Sequence, residues 1–352
     1  MRHTCYGNLS MTKAKPHEKI NWMIDRKNAL KMCLLVVVIT TIASCGRSIS
    51  TPDQALVHSA DGALAADISA DGKLAVVSSV ELGIKIYDLE TNTGLYEWHH
   101  QGDGRNLVTN IHIAADNSHV VTSDREAFAL WSVGSGEPVG FWRIDESAIR
   151  DIAVSNNARG ILVGRSSGKT MFFEPGSGRR LEFLGHQEKI NSVDISPNGR
   201  FALTGGNGYV AYLWSTDNGQ IIHTFTHPQR VTKVALDDSG RYAFTADGTN
   251  NAKIWNVQTG ELISQLDIFV RQQIFTDAVF SADGKWLLTG SPSRRINLWD
   301  VATGLEVQEW RVAPNENAPL RTAVVNAVGF LDNATIISES SSGLAEIWSI
   351  PQ

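Results

Sequence analysis

Asn297-Leu298-Trp299-Asp300, followed by Thr303-Gly304, is an apolar strand that ends in an aromatic–polar pair and then turns on a glycine. Equivalent pairs stand at Tyr87-Asp88, Trp131-Ser132, Phe173-Glu174, Trp214-Ser215, Trp255-Asn256 and Trp348-Ser349. Their spacing stays between 41 and 49 residues along the chain. A unit of roughly 40–45 residues that ends this way is the size of one four-stranded propeller blade. Seven copies therefore predict an all-β fold, a seven-bladed β-propeller of four-stranded antiparallel blades.

Within each copy, short alternating segments are separated by Gly, Asn, Asp and Pro clusters, the strand and turn signals. The first hairpin of each copy turns at positions such as Ser69-Ala70-Asp71-Gly72 and Ser196-Pro197-Asn198-Gly199, which offer the left-handed residue a tight turn needs. The third turns carry Gly94, Gly136, Gly178, Gly219, Gly260 and Gly304. The seventh copy stops four residues after Trp348, before an outer strand. Gln54 to His58 precedes the first copy and has no blade of its own. It is expected to supply the missing strand, pairing near Ile347 and leaving no open sheet edge.

On these residues the chain resembles the WD-repeat family of seven-bladed propellers. The clearest copy runs Gly185-His186, Val193-Asp194-Ile195-Ser196-Pro197-Asn198-Gly199 and Leu213-Trp214-Ser215. The resemblance implies a rigid disk that binds other proteins. The family's Gly-His pair is intact only at 185–186. The Asp that should stand six residues before each aromatic is replaced by Glu81, Arg125, Ser167, Gly208, Thr249, Ser293 and Ser342. The expectation is that the buried Asp–His–Ser/Thr–Trp network is formed in no blade and that packing alone holds the blades.

Ahead of the repeats, Arg26, Lys27 and Lys31 precede the apolar run from Met32 to Ile42, then Ala43, Ser44 and Cys45. The 14 residues from Met32 to Cys45 would span only about 21 Å as a helix, short of a hydrocarbon core about 30 Å thick. This is the pattern of a secretory signal. Ile42-Ala43-Ser44-Cys45 resembles the bacterial lipobox, which implies cleavage before Cys45 and lipidation of its thiol and new amine. More than one acyl chain gives stable membrane attachment. Gly46 is not the Asp that favours inner-membrane retention in such lipoproteins, so the outer membrane, facing the periplasm, is expected. The expected organisation is a signal peptide over 1–45, with translation starting at Met23 as an option, a tether over 46–53 and the propeller over 54–352.

The net charge is −6, unevenly placed. Residues 1–45 hold seven of the 31 Lys/Arg and two of the 37 Asp/Glu, so the remainder has 24 basic and 35 acidic residues, or −11. An acidic body repels phosphate backbones, and nucleic acid is not an expected partner. The three cysteines, Cys5, Cys33 and Cys45, all precede the repeats, so the propeller has no disulfide framework.

Positions just ahead of the inner strands should ring the axial channel: Thr109, Arg150, Asn191, Thr232, Thr276 and Val325. Arg150, Asn191, Thr232 and Thr276 are candidate partner contacts, with His99 and His100 in the connection after the first blade. His99, His100 and Asp103 read as a solvated loop rather than a metal site, since adjacent residues on a strand point to opposite sides. Trp98, Trp142 and Trp310, near the ends of outer strands, read as packing between blades. The connection from Arg311 to Thr322 is the longest between blades. No nucleophile elbow, HExxH or phosphate-cradling loop is present, and no cofactor or metal is expected. The reading is a non-enzymatic, lipid-anchored scaffold that binds envelope proteins through a propeller face. The alternative is a quinoprotein-like or lactonase-like propeller, which needs acidic or His ligands converging on the axis; the six channel positions supply none.

Overall fold

The computed structural model describes residues 51–100, 107–314 and 323–351. They form seven four-stranded sheets, each antiparallel throughout. In chain order the first six blades span 65–98, 110–143, 149–183, 190–226, 231–265 and 277–311. The seventh takes its three inner strands from 325–349 and its outer strand from Gln54–Val57. Gln54 faces Ile347 and Val57 faces Leu344, the closure expected from the sequence. Each inner strand packs on the inner strands of both neighbours, and the seventh returns to the first. The ring is closed.

Blades stack because one blade cannot bury its own two faces. Second and third strands carry the apolar residues, and Val76, Leu130, Leu162, Leu203, Phe244, Leu288 and Ile337 are fully or almost fully buried in blades one to seven. Aromatic side chains lock neighbouring blades together. Trp98 at the end of one outer strand stacks on Trp131 of the next blade, centroids 5.1 Å apart. Trp142 meets Phe173 at 5.1 Å, Phe183 meets Trp214 at 4.4 Å, and Phe225 meets Trp255 at 4.6 Å. Trp310 and Trp348 share one cluster. Such pairs add roughly 0.5–1.5 kcal/mol each beyond burial of area. The three outer-strand tryptophans are therefore packing residues, as their position implied.

The turn glycines also serve this stacking. Gly304 has φ +74°, and a Cβ there would stand 2.1 Å from the carbonyl oxygen of Gln265 in the preceding blade. Blade one differs from the sequence expectation: its third turn places Asn92, not Gly94, in the left-handed region, at φ +53°.

A second difference concerns the internal network. Trp131, Trp214, Trp255, Trp299 and Trp348 each donate the indole N–H to a hydroxyl on the adjacent strand: Thr122, Thr204, Thr245, Thr289 and Ser338. In three blades a histidine joins the same hydroxyl, His100 to Thr122 at 2.8 Å, His186 to Thr204 at 2.9 Å and His227 to Thr245 at 2.8 Å. Asp124 lies 3.7 Å from His100 and Asp247 lies 3.9 Å from His227. Blades two and five thus hydrogen-bond His, Thr and Trp and bring an Asp to within 4 Å of the histidine, a grouping that the fixed six-residue spacing excluded. Asp124 and Asp247 stand seven and eight residues before their tryptophans, because the intervening turns differ in length.

Candidate functional site

The inner strands converge on an axial cavity of about 320 Å³. Seven charged or titratable side chains line it: Asp238 and, one from the inner strand of each of six blades, Asp67, His112, Asp151, Asp194, Lys233 and Asp277. Each of these six stands within a mostly apolar inner strand, as in Ala65-Ala66-Asp67-Ile68. In a strand buried on both faces such a residue needs partners, and here the neighbouring blade provides them.

Asp67 accepts the N–H of Ile68 in its own strand at 3.0 Å and that of Ile113 in the next blade at 2.6 Å. Asp151 does the same with Ile152 and Val193, Asp194 with Ile195 and Leu236, and Asp277 with Ala278 and Val328. His112 Nδ1 accepts the N–H of Val154 at 3.2 Å. Between blades five and six, Lys233 pairs with Asp277 at 3.1 Å. From blade seven to blade one, Asn326 reaches the Ala63 carbonyl at 3.5 Å. One polar handshake spans every junction of the ring.

The same arrangement concentrates charge. Burial pushes Asp67 up to about 7, with the charge of Asp277 adding to the effect and His112 and the two N–H donors opposing it. Burial also raises Asp151, against Lys233 and its N–H donors. Burial and the Asp194 charge push Asp238, at one mouth of the cavity, up to about 6. For Lys233, burial lowers the pKa but Asp277 and Asp151 outweigh it, and the net direction is upward. His112 also moves upward: burial lowers it, and Asp194, Asp67 and Asp151 more than compensate. Its Nε2 lies 3.6 Å from Asp194 Oδ1. A second proton on this ring would cost the bond that Nδ1 accepts from Val154.

Two of the six channel positions expected from the sequence line the cavity and four do not. Thr109 and Thr276 do line the cavity. Val325 is buried in the core, and Thr276 donates to its carbonyl at 2.5 Å. Arg150, Asn191 and Thr232 sit at register shifts of their inner strands, between Ile149 and Asp151, Ile190 and Ser192, and Val231 and Lys233. A bulge of this kind re-aims the side chains around it. Arg150 is exposed, Asn191 donates to Asn207 Oδ1 and to the Val231 carbonyl, and Thr232 donates to the Ala246 carbonyl. The charged lining lies mostly one residue further on, or in the second half of the strand. The expectation that the axis lacks acidic and histidine side chains is thereby corrected. Each of the four inner-strand aspartates, however, already spends both oxygens on backbone N–H groups. Among the described residues no group of three His, Cys, Asp or Glu is placed to hold a metal ion.

His99 is exposed beside Glu97, 3.2 Å away. His100 is not a solvated loop residue: its side chain is 3% exposed and bonded to Thr122. Cys45, the signal segment, the tether up to residue 50, Asp103 and most of the connection after Arg311 lie outside the described residues.

A family model described as "Eukaryotic translation initiation factor eIF2A" matches residues 85–276, more than half of the chain. The chain belongs to this eIF2A-like family of WD propellers. A second model, "WD domain, G-beta repeat", matches residues 270–300, the stretch that contains Trp299-Asp300. No curated protein matches the chain. The part of this WD propeller covered by the first match includes every blade that carries an internal histidine, and the second match covers the three inner strands of the blade with the Trp-Asp ending.

Proposed function

We propose that this protein is a non-enzymatic protein-interaction platform, tethered by lipid at Cys45 to the bacterial cell envelope, most simply to the outer membrane and facing the periplasm. The observation that carries the platform reading is the use of the axial polar side chains. They are consumed in joining blade to blade, which leaves the loops and rim of a rigid ring as the surface that meets other molecules. The envelope reading rests on Ile42-Ala43-Ser44-Cys45 behind a basic and then apolar stretch. A tether would raise the local concentration of the platform for envelope partners. Fold by itself does not assign a function, and the name of the matched family is not carried over as a role in translation. The acidic body of the chain suits protein partners better than RNA.

The test is metabolic labelling of the full chain with an alkyne fatty acid, followed by membrane fractionation at high salt. The native chain should incorporate label and pellet with membranes. Cys45→Ala should do neither, and a labelled or membrane-bound Cys45→Ala protein would overturn the lipid-anchor reading.

A further inference from the structure

The connection between blades five and six is an ordered arch with an apolar tip. Leu266 and Phe275 bury its two ends, and Phe275 packs edge-on against Phe244 at 5.7 Å. Asn250, in the turn after the second strand of blade five, holds the middle. It donates to the Val270 carbonyl at 2.8 Å and accepts the Gln273 N–H at 3.3 Å. Gln273 then reaches into blade six and donates to Asn297 Oδ1 at 2.9 Å. Gln272 takes a left-handed φ of +58°, a conformation a non-glycine residue keeps only where its surroundings impose it.

What this clamped arch presents is Phe269, 84% exposed, the most exposed large apolar side chain among the described residues. Ile274, further along the arch, is 36% exposed. Arg271 is exposed on the same arch. Arg230 is exposed on the other side of the Asn250 turn, where a Cβ on Gly248 would stand 3.4 Å from its Nε. Among the described residues neither guanidinium has a carboxylate partner. On a body of net charge −11 beyond residue 45, these two arginines outnumber Asp267, the exposed carboxylate of the arch, and leave a local excess of positive charge. At physiological ionic strength, charges more than about 8 Å away are largely screened, so this pair governs what docks beside it.

We propose that the arch is a docking site for an acidic peptide segment of a partner protein that also carries an apolar side chain. Phe269 packs against that side chain, and Arg271 and Arg230 take its carboxylates. Aromatic and arginine side chains dominate the energetics of such contacts, and the preformed arch loses little freedom on binding. The proposal rests on the reading of the chain as a protein-binding platform and names the face and the partner chemistry.

The test pans a phage-displayed library of random dodecapeptides against the full chain and measures binding of synthetic copies of the enriched peptides. Enriched sequences should combine Asp or Glu with Leu, Phe or Trp. They should lose tenfold or more in affinity to Phe269→Ala and to Arg271→Glu, while Val57→Ala, an exposed apolar site on the rim, binds as the native chain does. Phe269→Ala should melt with the native protein, since its ring is in solvent. Enriched peptides that are basic, or that bind Phe269→Ala undiminished, would overturn the docking site and leave the platform standing. Failure of the library to enrich on any face would remove the platform reading as well.

Discussion

Replacing His58 tests the seam where the ring closes. His58 directly follows the strand Gln54–Val57 that completes blade seven. Its Nδ1 lies 2.5 Å from Glu339 of blade seven, and its Nε2 lies 3.1 Å from the Asn92 oxygen of blade one. A neutral imidazole has one N–H, and two acceptors call for the imidazolium. Burial lowers its pKa, but the Glu339 hydrogen bond and charge and the Asn92 bond outweigh burial and raise it above the usual value. Tyr87 of blade one stacks on the ring at 4.0 Å and donates its hydroxyl to the His58 carbonyl. One protonated side chain thus joins both sides of the seam. His58→Ala would leave the wholly buried Glu339 without a counter-charge. Removing one member of a buried pair costs about 3–5 kcal/mol, and at about 2–4 °C per kcal/mol the melting point should fall by roughly 6 °C or more.

The pH dependence supplies the sharper readout. The folded pKa of His58 is raised, so its contribution is complete below pH 6.5 and is lost as pH rises through the folded value. Other groups bend the native curve as well. Burial pushes His186 and His227 down to about 4, so their contribution is present above pH 6.5 and lost as pH falls toward 4. Asp67, raised to about 7, weakens the fold as pH climbs from about 4 to 7. The difference between native and His58→Ala cancels these shared terms. Melting measured from pH 5.5 to 9 should show the gap widest at the acid end and narrowing with rising pH. Glu339→Gln, which keeps an acceptor but removes the charge, should flatten the His58-dependent part of the curve. A gap that stays constant across that range, or that is below about 1 kcal/mol at pH 5.5, would refute the proton-held seam.

Deleting residues 54–58 should lower the melting temperature far more than deleting 46–52, because it bares the edge of Leu344–Ser349 and removes His58; equal melting temperatures would refute closure by this strand. Thr245→Val should cost about 2–4 kcal/mol in denaturant unfolding, since it orphans the half-buried indole N–H of Trp255 and the buried ring of His227. Ser338→Ala, which removes the partner of Trp348 and a long bond to the Glu346 carbonyl but no histidine bond, should cost about half as much, and equal losses would show that the histidine bond contributes nothing.

What could be read without coordinates followed from local periodicity. Strand alternation, turn residues and a repeat of 41 to 49 residues name a blade, and seven blades with one strand short at the end require the strand at Gln54–Val57 to close the ring. Outer-strand tryptophans likewise announced their packing role, because a large apolar side chain at a repeated position has few other places to go. The histidine bonds in three blades ran against the sequence reading, which expected such a network in none. Their aspartates sit seven or eight residues before the tryptophan, and a search at one offset passes over turns of variable length.

The lining of the axis and the arch at Phe269 belonged to the tertiary structure. A bulge in the inner strands of blades three, four, five and seven shifts which side chain faces the channel, and a bulge leaves no mark in a pattern of alternating residues. Asp67, Asp151, Asp194 and Asp277 could be seen as charges in apolar strands, but the amide that each one satisfies lies 42 to 51 residues away on another blade. Sequence determines each blade through neighbours along the chain. The ring decides what the blades do to one another, because hydrogen bonds and charges act through space and reach their partners only once the circle has closed.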